Sequence, residues 1–121
     1  MAESHILGQK GEDRAIEFLK KAGYKILKRN WKAGKLEIDI IAENKDFIVF
    51  VEVKTRSEDY QMDPVTAVNR EKQRSMILAA NNYLQWNSID KESRFDVIIV
   101  IKKGDEHQIN HIEDAFYPTL R

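Results

Sequence analysis

The chain contains no cysteine. Disulfides, thiolate nucleophiles and cysteine-ligated zinc are thereby excluded, and the absence fits a reducing compartment, so a cytoplasmic protein is expected. Only two prolines and five glycines occur in 121 residues, which leaves no room for a long flexible linker. No apolar run approaches the roughly 20 residues that a membrane-spanning helix needs. The N-terminal MAESHILGQKGEDR is too polar for a secretory signal, so no membrane role is expected. Net charge is lacking too, with 20 basic and 20 acidic residues, and bulk electrostatics give no case for a nucleic-acid partner. Internal repeats and low-complexity tracts are absent.

What remains is 42% hydrophobic and 33% charged, a composition that suits one globular domain over residues 1–121 and argues against disorder. A local lack is more informative than the global ones. Between Glu17 and Glu37 there is no acid, whereas Lys20, Lys21, Lys25, Lys28, Arg29, Lys32 and Lys35 all fall there. Taken alone, such a run reads as the solvated face of a helix and the strand after it. The segment from Asp105 to Asp114 leans acidic.

Hydrophobic spacing orders the chain. Ala15, Phe18, Leu19 and Ala22 form one apolar stripe, predicting a helix from about Gly8 to Ala22 with Gly23 as its cap. Residues 24–32 read as an edge strand, with Tyr24, Ile26 and Lys28 on one side and Lys25, Leu27 and Arg29 on the other. Two strands, 36–42 and 47–55, flank the turn formers Asn44, Lys45 and Asp46. A polar loop follows, with a turn at Asp63-Pro64. Asn69 then caps a helix reaching Trp86, with Met76, Ala80, Tyr83 and Leu84 inward. FDVIIVI, 95–101, is a buried strand, Lys103-Gly104-Asp105 a turn, and QINHI a weaker last strand. Helix, three strands, crossover helix and one or two strands predict an α/β fold with a mixed sheet and helices packed on it.

The middle hairpin carries the chemistry. In IVFVEVKTR, residues 48–56, Glu52 and Lys54 interrupt the most apolar strand, while Glu37 and Asp39 sit in the strand before it. Side chains alternate along a strand, so each pair shares a face. A four-residue loop, Asn44 to Phe47, would oppose Asp39 to Glu52 and Glu37 to Lys54; a two-residue loop would oppose Glu37 to Glu52. Either places all four charges on one face, and an odd loop separates them. A buried salt bridge of Lys54 with Glu52 or Glu37 would account for one pair. It leaves surplus negative charge, because neighbouring carboxylates repel. A divalent cation removes that difficulty, and Mg²⁺ (or Mn²⁺) favours hard oxygen ligands. On this reading Asp39 and Glu52 hold the metal, and Lys54 stabilises charge developing on a phosphoryl group.

Asp39 followed by Glu52-Val53-Lys54 resembles the PD-(D/E)xK nuclease motif, with Ile38 where the motif's name has proline. Nearly the whole chain resembles the YraN family of small bacterial proteins with a restriction-endonuclease-like fold. The resemblance runs through Gly8, Gly11-Glu12, Gly23-Tyr24, Arg29-Asn30, EIDIIA at 37–42, FVEVKTR at 50–56, Lys72 with Arg74, and RFDVI at 94–98. Members commonly carry glycine where Leu36 stands. The family is similar to archaeal Holliday-junction resolvases, which place an N-terminal helical glutamate in the metal site. The resemblance therefore implies Glu12 as a further ligand and Lys72 as a contact to substrate phosphate.

The expectation is a metal-dependent endonuclease acting on DNA, including branched or damaged DNA, read by shape. Lys28, Arg29, Lys32, Lys35, Arg56 and Lys72 would meet the phosphate backbone, and cleavage of two strands would suit a homodimer. The alternatives are a DNA-binding or scaffolding protein with the same fold and little or no cleavage, and a structural ion-pair site in an interaction domain. His107 and His111 read as surface or edge residues, and Trp31 and Trp86 as packing residues. No histidine stands in a sensible relation to Ser57 for a hydrolase triad.

Overall fold

The apolar run at the centre of the chain becomes the centre of a five-stranded sheet. The computed structural model describes residues 2–59 and 68–116. In chain order these form α1 (Ala2–Lys21), β1 (Lys25–Ala33), β2 (Leu36–Glu43), β3 (Phe47–Ser57), α2 (Arg70–Trp86), β4 (Glu92–Lys103) and β5 (Glu106–Phe116). The strands lie side by side in sequence order. β3 and β4 are parallel, and the other neighbours are antiparallel. This is the expected α/β architecture, a mixed sheet with one helix on each face, consistent with a restriction-endonuclease-like fold.

Period-two alternation explains the core. On β3, Ile48 and Phe50 pack toward α2, while Val49 and Val51 pack toward α1, and all four are fully buried. β4 repeats the pattern, with Val97 and Ile99 toward α2 and Ile98 and Val100 toward α1. A strand covered on both sides has no polar face, so its sequence reads as one apolar run. α1 contributes Ala15 and Leu19 to one cluster; α2 contributes Met76, Ala79, Ala80 and Tyr83 to the other. α1 stops at Gly23, whose φ of 97° permits the closing bonds from Gly23 N to Lys20 O (3.1 Å) and Tyr24 N to Leu19 O (2.9 Å). α2 starts at Asn69, whose side chain accepts from Lys72 N at 2.8 Å.

Several elements differ from the sequence expectation. α1 begins at Ala2 and runs through Gly8, because one interior glycine costs only about 1 kcal/mol relative to alanine and does not stop a helix. Gly11 has a use there: a Cβ would lie 1.9 Å from Thr55 Oγ1, so α1 can sit this close to β3 only without one. The last strand spans 11 residues rather than QINHI alone. The expected alternation of β1 fails at a register shift between Ile26 and Lys28, after which Lys28 opposes Ile41. Asp63-Pro64 lies outside the described residues. Among the described residues no helix is long and apolar enough to cross a membrane.

Candidate active site

Of the two even loops the sequence allows, the four-residue turn Asn44–Phe47 is the one that forms. Asn44 Oδ1 accepts from Asp46 N (3.0 Å) and Phe47 N (2.8 Å), and Glu43 opposes Ile48. Continued along the hairpin, this register would set Asp39 opposite Glu52. The ladder ends one pair earlier, at Ile40–Val51. There the two strands part, and Asp39 Oδ2 bridges the gap by accepting from Val53 N at 2.8 Å.

The parting has a local cause. Ile38 packs toward α2 but Ile40 toward α1, so alternation slips by one residue at Asp39. β1 slips at the same level. Arg29 reaches the α1 residues Glu12 and Asp13, Trp31 packs toward α2, and Asn30 between them has φ of 52°. The slip corrects the expectation that four charges would share one face. Glu37 lies beside Lys32 at 3.9 Å, away from the hairpin's second strand. Asp39 joins Glu52 instead, and Glu12 approaches from α1.

The pair is electrostatically crowded. Burial raises the Asp39 carboxyl and the Glu52 charge raises it further. The Val53 N–H and Lys72 pull it back, and the result is pushed up to about 7. Glu12 is also raised, by burial and by the charge on Asp39, against hydrogen bonds from Arg29 and Asn30. Glu52 is held on α2's side of the sheet, where Lys72 Nζ lies 3.7 Å from Oε1. That oxygen is buried and accepts no hydrogen bond among the described residues. A buried carboxylate oxygen without a donor is costly, and it is the natural place for a hard cation. Among the described residues no three acids or histidines stand close enough to form a ready-made metal cage. The donors brought together are Asp39 and Glu52, with Glu12 beside them but bonded to Arg29 Nε at 3.3 Å.

The salt bridge of Lys54 with Glu52 or Glu37, weighed as the alternative to a metal, does not form; Lys72 lies beside Glu52 instead. Lys54 is half-buried, two positions past Glu52, and opposes Ile99 of β4. Of the other cations, Arg29 is tied to Glu12 and Asp13, and Lys32 to Glu37. Arg56 donates to Thr55 O at 2.8 Å. Lys28 is exposed on the edge strand β1 and Lys35 in the turn that follows it.

A second polar cluster lies across the sheet. Asp96, fully buried, accepts from Arg94 Nε (2.9 Å) and Nη2 (2.8 Å) and from Asp114 N (3.0 Å), and meets His111 Nε2 at 2.6 Å. Burial alone would raise this carboxyl, but the bonds from His111 and Arg94 outweigh it and hold it below the usual value. Arg94 also donates to the Tyr24 hydroxyl. His111 lies on β5, an edge strand as its sequence suggests, but its ring turns inward and is largely covered as the partner of Asp96. The signal that could have found this cluster was Asp96 itself, an acid inside FDVIIVI, the same anomaly that marks Glu52. Away from both clusters, a cavity of about 570 Å³ between α1 and the β4–β5 hairpin is lined by Arg14, Glu17, Phe18, His107 and Ile109 among others. Its charges are mixed in sign, with Glu17 already beside Lys21 at 3.5 Å.

The comparisons with known proteins agree along the whole chain. The model of the uncharacterised protein family UPF0102 matches residues 11–100, which include Glu12, Asp39, Glu52, Lys54 and Lys72 and, of the second cluster, Tyr24, Arg94 and Asp96. A UPF0102 protein of Parabacteroides distasonis is 44% identical over 121 residues, 100% of each chain. One from Flavobacterium psychrophilum is 48% identical over 117 residues, covering 97% of this chain and 98% of its own. One from Nitratidesulfovibrio vulgaris is 42% identical over 113 residues, 93% of this chain and 84% of its own.

Proposed function

The chain belongs to the uncharacterised protein family UPF0102, and we propose that it is a metal-dependent nuclease that hydrolyses DNA phosphodiester bonds, branched or damaged DNA included. One observation carries the reading. Two carboxylates are crowded where β2 and β3 part, one pushed up to about 7 and the other with a buried oxygen that accepts no hydrogen bond among the described residues. A site shaped only for stability would not keep that arrangement, since a satisfied or apolar pair costs less. The donors are hard oxygens and suit Mg²⁺ or Mn²⁺.

Asp39 and Glu52 would hold the ion, with Glu12 joining if Arg29 releases it. Bound there, the ion would polarise a phosphoryl oxygen and acidify water. The chain's own groups do the rest. The Val53 N–H fixes the Asp39 carboxylate. Lys54, on the same strand two residues on, would stabilise the charge developing on phosphorus. Lys72 would move from Glu52 to substrate phosphate. Lys28, Lys35, Arg29, Lys32 and Arg56 would meet the backbone without reading sequence, so affinity should fall steeply with salt. DNA as substrate puts the protein in the cytoplasm, and two-strand cleavage would use a homodimer.

Calorimetric titration with Mg²⁺ or Mn²⁺, followed by cleavage of a branched and a linear duplex, tests the reading. Wild type should bind the ion and cut, whereas Asp39→Asn and Lys54→Ala should not cut. Wild type that neither binds the ion nor cuts at neutral pH sinks it. One observation favours a second reading, a DNA-binding protein without cleavage: the Glu12 carboxylate is engaged by Arg29, leaving two acids rather than three. On that reading DNA binds and stays intact with either metal.

A further inference from the structure

Trp86 is the last residue of α2, and its side chain is 65% exposed. Indole is rarely left in water by a chain that can bury it. This one is held, not loose. The Trp31 ring meets it at 5.8 Å and 62°, and Trp31 in turn meets Tyr83 at 5.2 Å and 84°. Trp31 belongs to β1, the edge strand that carries the acid-free basic run. Lys28 opposes Ile41, which packs toward α2, so Lys28 shares the face on which Trp31 and Trp86 meet. The nearby acids of β2 are already matched: Glu37 faces Lys32 at 3.9 Å, and Glu43 faces Lys91 at 3.4 Å. Lys28 and Lys35 are exposed, with no ion-pair partner among the described residues.

We infer that Trp86, braced by Trp31 and with Lys28 on the same face of the sheet, is a stacking platform for an unpaired base of a nucleic-acid strand whose phosphates meet that lysine and the rest of the basic run. A rigid aromatic face beside a basic track is the arrangement that binds single strands, because every base has a π-face and every phosphate a charge. In an intact duplex those faces are covered by neighbouring bases, so the platform selects unpaired segments. The inference rests on the proposed action on DNA and adds the substrate feature that would be recognised.

The chain has two tryptophans, which makes the test direct. In a Trp31→Phe, Asp39→Asn background Trp86 is the one indole and the acidic pair is disabled. Oligothymidylate of about 20 nucleotides and a duplex of equal length are titrated, following fluorescein anisotropy for binding and indole emission for stacking. The single strand should quench emission and the duplex should not. In the otherwise wild-type chain, Trp86→Ala should weaken single-strand binding about tenfold, with Trp86→Phe much closer to wild type and duplex affinity changed less than about twofold. Binding without quenching, or single-strand affinity indifferent to Trp86→Ala, overturns the platform while leaving metal binding and cleavage to be judged on their own assays. Absence of any nucleic-acid binding overturns the platform and the DNA reading together. A wild-type dimer in sedimentation that Trp86→Ala makes monomeric would show that a second copy covers this face, and would also overturn it.

Discussion

Asp39 and Asp96 are aspartates in strands of one sheet, each among isoleucines and valines, and their surroundings treat the same carboxyl in opposite ways. Asp96 has donors for both oxygens, drawn from Arg94, His111 and the Asp114 N–H, and is held in its charged form. Asp39 has one backbone donor, a carboxylate neighbour in Glu52, and a pKa pushed up to about 7. Where the fold needs a buried charge for its own sake, it completes the hydrogen bonds. At the β2–β3 parting it leaves them incomplete, and that difference is what the proposed metal site rests on.

The harshest way to break the comparison is Asp96→Ala. It strands the Arg94 guanidinium, only 9% exposed, without its main partner. Removing one member of a buried pair costs about 3–5 kcal/mol, so the urea midpoint should drop sharply. A loss below about 1 kcal/mol would mean that the network is ornamental.

Asp39→Asn should do the reverse. The amide oxygen can still accept from Val53 N while the repelled charge disappears. A raised folded pKa means that the native state binds the proton more tightly than the unfolded chain, so wild-type stability falls as pH rises from about 4 to about 7 and is level above that. At pH 7.5 the variant should therefore be more stable, on the order of 2–4 kcal/mol, and the gain should vanish near pH 4. Asp96 supplies the opposite sign. Its folded pKa is lowered, so its contribution is complete above the ordinary value of 3.8 and is lost as pH falls below it. Denaturation series from pH 3 to 8 on Asp39→Asn and Asp96→Asn read both signs. A variant at position 39 that is destabilised at pH 7.5 would remove the contrast.

Gly11→Ala tests what seats Glu12 beside this site. The new methyl would meet Thr55 Oγ1 at 1.9 Å, and the overlap should cost about 1–3 kcal/mol. Thr55→Ala in the same chain should recover most of it. Loss without recovery would locate the strain elsewhere in α1.

The sequence revealed some of this and hid the rest for identifiable reasons. Glu52 was visible because an acid inside an apolar strand contradicts the burial its neighbours demand; Asp96 carries the same mark inside FDVIIVI, but His111 and Asp114, which complete its cluster, lie on another strand and went unread. The turn was legible from the turn formers Asn44, Lys45 and Asp46, but the choice between a four-residue and a two-residue loop, and with it the register, was not. The slip at Asn30 and Asp39 was not, because a break in alternation leaves no mark in composition, and so Glu37 was wrongly grouped with the pair. His111 was hidden for a similar reason: a register shift between Phe95 and Val97 decides what β5 presents to Asp96. Nor could spacing show that Lys72, rather than Lys54, faces Glu52. That depends on where a crossover helix lands, 20 residues later in the chain.

Lys72→Met gives the smallest effect and the finest test. Lys72 Nζ, on a side chain 37% exposed, stands 3.7 Å from Glu52 Oε1 on a side chain 12% exposed. With the lysine end this exposed and the two atoms beyond hydrogen-bond distance, the pair should contribute about 0.5–1 kcal/mol at low salt, less as salt rises. Its removal also takes away a charge that lowers Asp39, so the Asp39 titration should move further up. The informative readout is ion binding. If the ammonium occupies, electrostatically, the place of a divalent cation, deleting it should raise Mg²⁺ or Mn²⁺ affinity several-fold at pH 8, because the cation no longer meets a positive neighbour. On the proposed reading, in which Lys72 meets a substrate phosphate, DNA affinity should fall in the same variant. Opposite changes in the two affinities would tie Lys72 to both ligands of one site. A fall in both would mean that the lysine holds Glu52 in place, and that the acidic pair needs it as a strut.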